Sequence, residues 1–244
     1  YKCTGGCEED KKKKNKNKCK APSKSEVCAD VGCGTVTDKC GNKVDCPNTC
    51  SKQKVCGASA GVSSESGSKV ANKCIHELTK KIIEIIENYG DELSKETLDK
   101  LKDAKRLILN DQVEFTELEG SGGSYDGDKN EIKIDKSNSI DKQLMSLIHE
   151  RQHAVQDLHG EKIEPSGYNT KQDYFDAMSR LETEAISEEM KAYEELIDKG
   201  AIDEIKEEER WLSVYQDGRD ELQDRVEKFY SIKWGNAWAV RDRK

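Results

Sequence analysis

The cysteines of this 244-residue chain divide it into two parts that cannot fold in the same way. All ten lie between Cys3 and Cys74, nine of them before residue 57, and the last 170 residues contain none. A segment with about one cysteine in six and few large apolar side chains needs cross-links to be stable. The CxxC pairs typical of zinc sites are missing, since the shortest spacing is CxxxC. We therefore predict a disulfide-rich module over residues 1–56, in an oxidising compartment outside the cytoplasm.

Charge separates the same two parts. The first 60 residues carry 13 lysines and 7 acidic residues, whereas the remainder carries 28 basic and 42 acidic residues. Since phosphate binding requires a basic face, the acidic part is not expected to bind nucleic acid.

No apolar run approaches the roughly 20 residues of a transmembrane helix. The lysine-rich segment 11–20 is interpreted most simply as a solvated loop, and contact with an anionic cell wall or membrane surface is the alternative.

Apolar spacing predicts the elements of the second part. Small polar residues over 57–69 indicate a flexible linker, and residues 70–244 form the next predicted domain. Short apolar segments at 113–118 and 132–134 predict strands. Helical spacing predicts helices from about Val70 to Gly90 with Ser68 as N-cap, from Ser94 to Ile108, and over 144–158, 171–198 and 201–229. The expected fold class is α+β, a mostly helical domain with a small sheet.

The predicted helix over 144–158 contains the sequence His149-Glu150-x-x-His153. A spacing of four residues places both imidazoles on one helical face, one turn apart, where they can share a zinc ion. Glu150 then lies beside the first ligand, where its carboxylate can take a proton from a zinc-activated water. The motif predicts Zn²⁺ as cofactor and Glu150 as general base.

Catalytic zinc usually has three protein ligands and one open position. On the helix predicted over 171–198, Glu184 and Glu188 lie one turn apart, and an antiparallel packing would bring Glu184 to the zinc and Glu188 to an imidazole N–H. Glu182 and His159 are the alternatives for the third ligand. His159 could return to the metal only if the helix broke near Gln156, which is a good helix former.

These two motifs carry a family resemblance. His149-Glu150-x-x-His153 followed by Glu184-Ala-Ile-Ser-Glu188 resembles the gluzincin metallopeptidases, of which thermolysin-like enzymes are the best known, and is similar to small bacterial metallopeptidase domains. The resemblance implies a zincin-like domain with Glu184 as the third zinc ligand. It also implies Glu188, in place of the family's usual Asp, as the carboxylate that orients a ligand histidine. The spacing to His159 is similar to that of metzincins, which implies the alternative ligand.

A second resemblance concerns the cysteine-rich part. Residues 33–46, CGTVTDKCGNKVDC, resemble small modules of secreted microbial proteins, which implies an exported structural or adhesive module. Together the two resemblances imply a secreted or cell-surface zinc metalloendopeptidase acting on a peptide or protein substrate. The alternative is an extracellular binding or structural protein whose zincin-like domain has lost activity.

Two parts of the expected active site have more than one candidate: the strand that pairs with the substrate and the donor to transition-state charge. In zincins a strand beside the active helix pairs with the extended substrate, and either residues 132–134 or the segment around Tyr125 would supply it. Charge that develops in the transition state also requires a further donor. No histidine follows His159, so a Tyr or Arg is expected, with Tyr168 and Tyr174 as candidates.

Overall fold

The computed structural model describes residues 21–28, 34–46, 54–58, 72–161 and 163–241, and the chain divides into two compact units between Ile75 and His76. The lysine-rich segment 11–20 and residues 59–69 of the predicted linker lie outside these ranges. Within the ranges, no helix combines the length and the apolar character that crossing a bilayer requires.

The described residues of the first unit form a short helix and two small sheets. A disulfide between Cys28 and Cys46 joins the helix to the second strand, and Cys40 is also disulfide-bonded. The prediction that this part is cross-linked by disulfides is thereby confirmed for these cysteines. The elements are α1 Lys24–Cys28, β1 Gly34–Thr37 paired antiparallel with β2 Lys43–Cys46, and β3 Lys54–Ala58 paired with β4 Asn72–His76.

The second unit is helical with one three-stranded sheet, which confirms the α+β class. Its helices are α2 Glu77–Tyr89, α3 Lys95–Leu109, α4 Ile140–Leu158, α5 Lys171–Asp198, α6 Lys206–Asp217 and α7 Arg219–Arg241, with a 3-10 turn at Pro165–Gly167. Its strands are β5 Val113–Thr116, β6 Gly123–Asp126 and β7 Glu131–Asp135. Ser94 and Ser139 cap α3 and α4 through their side chains, as Ser/Thr N-caps do.

Strand order decides which predicted strand borders the site. The order is β5-β7-β6, with β7 parallel to β5 and antiparallel to β6. The predicted strand 132–134 is therefore central, and the segment around Tyr125 forms the edge strand β6. Ile132 and Ile134 are buried beneath α4, which also packs against α2, α3 and α5. Helix α4, which carries His149 and His153, therefore lies between the sheet and α5.

Two predicted helices were wrong in extent. Residues 72–76 form strand β4, and α2 begins at Glu77, where the His76 side chain accepts a hydrogen bond from the Leu78 amide at 3.2 Å. Pairing between β3 and β4 holds these residues extended against their helical spacing. The helix predicted over 201–229 is divided at Gly218, whose φ of +125° lies in the left-handed region that glycine tolerates.

Candidate metal centre

Helix α4 presents the two histidines as the spacing predicts. The Nε2 atoms of His149 and His153 lie 3.2 Å apart, and both side chains are largely buried, with 12% and 19% of their surface exposed. Neighbouring turns of one helix therefore aim two imidazole nitrogens at a common point.

Helix α5 supplies a third donor to the same point. It packs antiparallel to α4, since Leu181 lies beside Gln156 and Glu189 beside His149. Glu182 Oε2 lies 3.5 Å from His149 Nε2 and 3.6 Å from His153 Nε2. Zinc bonds of roughly 2.0–2.1 Å at tetrahedral angles separate two ligand atoms by roughly 3.3–3.4 Å. The three atoms thus have the spacing of one face of a zinc tetrahedron.

The far nitrogen of each imidazole is held by a partner that fixes its ring. His149 Nδ1 lies 3.1 Å from Glu189 Oε2, and His153 Nδ1 lies 2.9 Å from Gln156 Oε1. An acceptor at Nδ1 favours the tautomer whose Nε2 can bind a metal. The orientation of both rings suits ligation.

The chemistry of this donor set fits zinc. Glu182 Oε2 is buried and accepts no hydrogen bond from the described part of the chain, which is costly for a carboxylate oxygen. Burial raises the pKa of Glu182, but the contacts with His149 and His153 outweigh it and lower that pKa well below its usual range. The carboxylate is therefore ionised. Two imidazole nitrogens with one carboxylate oxygen are a ligand set that catalytic zinc uses.

The structure places other glutamates of α5 next to the imidazoles than the two that the sequence predicts. Glu184, the expected third ligand, lies beside two glutamines instead: Gln152 Nε2 donates to it at 3.1 Å and Gln156 Nε2 at 3.3 Å. Glu188, the expected partner of a histidine, is bound by Lys100 at 2.8 Å. Glu182 and Glu189 occupy the two positions next to the imidazoles.

His159, the metzincin-like alternative, is not part of this group. Helix α4 continues without a break through Gln156 to Leu158, and His159 is its exposed C-cap. Gly160 then adopts a φ of +78°, the usual glycine conformation after a helix end. The chain leaves α4 too late for this histidine to join the other two.

The phase of the α5 apolar stripe explains which glutamates face α4. Buried Ile186 and Tyr193 follow Glu182 at +4 and +11, and Glu189 follows it at +7, so these side chains share one helical face. Glu184 is two residues out of phase with that stripe. The sequence contained this signal, as it contained Gln156 one turn after His153, but neither entered the predicted site.

Glu150, the predicted general base, is buried at the sheet side of α4. A methyl group added at Gly123 of β6 would lie 2.8 Å from Glu150 Cγ, so only glycine lets the strand pass this close. Burial raises the pKa of Glu150, and the nearby histidines partly offset this. A carboxylate with a raised pKa beside a metal site is suited to exchange a proton.

A cleft of about 970 Å³ opens over these groups between β6, α5 and α7. Helix α7 contributes Tyr230 and Lys233, which the sequence interpretation did not select. Burial raises the pKa of Tyr230, and the carboxylates of Glu182, Glu189 and Glu150 raise it further. The proposed donors Tyr168 and Tyr174 pack against each other at 5.8 Å, and neither belongs to the described lining of the cleft.

The chain was compared with family models, curated proteins and solved structures. No family model, curated protein or solved structure matches the chain.

Proposed function

We propose that this protein is a zinc-dependent peptidase with His149, His153 and Glu182 as metal ligands. The observation that carries the proposal is the convergence of three metal-ligating atoms within 3.6 Å of one another, beside a buried carboxylate in an open cleft. The resemblance of the His149-Glu150-x-x-His153 sequence to zincin metallopeptidases supports the same assignment. With two histidines and a glutamate as ligands, a bound zinc ion would keep a position for water or substrate.

Each residue has a defined task in this proposal. A bound zinc ion supplies a polarised water nucleophile and a Lewis acid for the peptide carbonyl. Glu150 takes the proton of the attacking water and delivers it to the nitrogen of the leaving amine. Glu189 and Gln156 hold the two imidazoles in the orientation and tautomer that binding requires.

The proposed substrate is a peptide in extended conformation. Strand β6 is an edge strand of the three-stranded sheet that the structure describes, and its residues line the cleft. An added peptide strand would bind such an edge through main-chain hydrogen bonds. The close approach of Gly123 to Glu150 would bring the peptide backbone next to the proposed general base.

We also propose that the protein works outside the cytoplasm, at a cell surface or in the surrounding medium. The support is the disulfide Cys28–Cys46 and the disulfide-bonded Cys40, because reducing compartments rarely maintain such bonds.

The test is Glu150→Gln, measured for zinc content and for digestion of a peptide library. We expect one zinc per chain to remain and turnover to fall by at least 10²–10⁴-fold, the contribution of general-base catalysis. Glu161→Gln, at another carboxylate that lines the cleft, is the matched control and should change turnover little.

Unchanged turnover in Glu150→Gln would refute the mechanism. Tight zinc binding without hydrolysis of any peptide by the unaltered protein would favour the inactive binding protein instead.

A further inference from the structure

The cleft holds an unusual balance of charge. Ten carboxylate side chains and two lysines belong to its described lining. Lys142 is already engaged, since its Nζ lies 2.6 Å from Glu208 Oε1 and 3.4 Å from Glu207 Oε2. Lys233 forms no ion pair with any residue that the structure describes. Of the two lysines in the described lining, Lys233 is therefore the one that can form an ion pair with negative charge that develops in the cleft.

Helix α7 holds this lysine beside a phenol on a well-packed surface. Tyr230 and Lys233 lie one turn apart, and Lys233 Nζ lies 5.7 Å from the centre of the Tyr230 ring. The Tyr230 ring stacks on Trp234 at 5.6 Å with an interplanar angle of 11°, and Trp234 is almost fully buried. The Phe229 ring contacts the Tyr230 ring in an edge arrangement, with 5.0 Å between the ring centres. The packing fixes the phenol, whose hydroxyl interacts with the Glu182 carboxylate at the edge of the site, and this limits the reorganisation needed to donate a hydrogen bond to substrate.

We infer that Tyr230 and Lys233 stabilise the negative charge that develops on the scissile carbonyl oxygen when water adds to the peptide. The inference rests on the proposed peptidase function. It identifies the residues that donate hydrogen bonds to the transition-state charge. Both side chains face the same cleft as His149 and Glu150, from the wall formed by α7. Preorganised donors aimed at developing charge in a partly dehydrated site are typically worth about 10²–10³-fold in kcat each.

The remaining polar groups are less suited to this task. Lys142 would have to give up two carboxylate partners, one of them on the buried Glu208. No arginine lines the part of the cleft that the structure describes. The donors expected from sequence, Tyr168 and Tyr174, pack elsewhere.

The experiment compares Tyr230→Phe and Lys233→Met with the unaltered protein in its zinc-loaded form. Four quantities are measured: zinc content, kcat and KM on a cleaved peptide, and the calorimetric affinity of a phosphinic peptide, whose anionic group resembles the charged transition state. Lys228→Met is the matched control, because Lys228 lies on the same helix, pairs with Asp224 and does not line the cleft.

For both variants we expect unchanged zinc content, a KM within a few-fold of the original, and a kcat lower by about 10–1000-fold. The affinity for the phosphinic peptide should fall in parallel with kcat, and Lys228→Met should change none of these values. A merely structural role of α7 would not lower kcat and phosphinic affinity together at constant KM.

Unchanged kcat and phosphinic affinity in both variants would overturn the inference while leaving the peptidase function standing. An increase of KM confined to peptides with a free C-terminal carboxylate would also overturn it for Lys233, which would then bind the substrate terminus. Absence of zinc or of turnover in the unaltered protein would refute the proposed function, and this inference with it.

Discussion

On one face of α5, Glu182 and Glu189 direct their carboxylates at the imidazoles of α4, whereas on the adjacent face Glu184 and Glu188 are bound by amides and lysines. Glu182 Oε2 is left with two imidazole nitrogens at 3.5 and 3.6 Å. Glu188 is fully engaged by Lys100 at 2.8 Å and Lys191 at 2.6 Å. The first arrangement has a place for a cation, and the second has its cations already.

This difference arises from the neighbours and not from the residue type. Burial raises the pKa of Glu188, but Lys100 and Lys191 outweigh it and lower that pKa to about 2. Histidines lower the pKa of Glu182 in the same way. Lysine stays protonated near neutral pH and makes a permanent ion pair, whereas histidine can lose its proton and become a metal ligand. A low carboxylate pKa therefore does not by itself distinguish a site from a structural ion pair.

The largest expected effect separates Glu182 from Glu184. Glu182→Ala removes an anionic donor from the proposed ligand set, and we expect zinc affinity to fall by several orders of magnitude. Glu184→Ala should weaken zinc only a few-fold, because Glu184 reaches His153 only through Gln156. Competition with a chelator at fixed pH measures both dissociation constants. The opposite order of effects would return the third-ligand role to Glu184.

An intermediate effect is expected at Glu189. Glu189→Gln keeps the shape of the side chain but removes the charge that holds His149 Nδ1, so zinc affinity should fall by about tenfold, the low end of such effects. Glu188→Gln, one residue away, is the matched control and should leave zinc affinity unchanged. The same competition assay measures both zinc affinities. Equal affinities in the two variants would contradict the role of Glu189 in orienting His149.

The smallest effect concerns stability alone. Glu188→Gln leaves the buried Lys100 with Glu96 as its remaining charged partner, and we expect unfolding free energy at pH 7 to fall by about 2 kcal/mol. Because the folded-state pKa of Glu188 is depressed to about 2, its contribution is complete above pH 4.5 and is lost as pH falls toward 2. Urea unfolding should show a smaller difference at pH 3 than at pH 7. A difference that grew on acidification would contradict the ion pair.

Local patterns determined much of this molecule. Cysteine density predicted cross-links, and apolar periodicity located α3, α4 and α5 to within a few residues. The spacing of His149 and His153 fixed their common face, because i and i+4 side chains meet in any α-helix. Each of these features depends on residues close in sequence, so neighbours along the chain were sufficient.

Only the tertiary structure decided the features that join distant segments. Pairing of β3 with β4 overrode the helical spacing before Glu77. The apolar stripe of α5 already separated Glu182 from Glu184, since two residues turn a helix by about 200°, but only the packing of α5 against α4 shows that this stripe meets the histidines. Tyr230 reaches the cleft from α7 because its aromatic neighbours pack against α5. Such contacts depend on the packing of whole elements, which no short stretch of sequence contains.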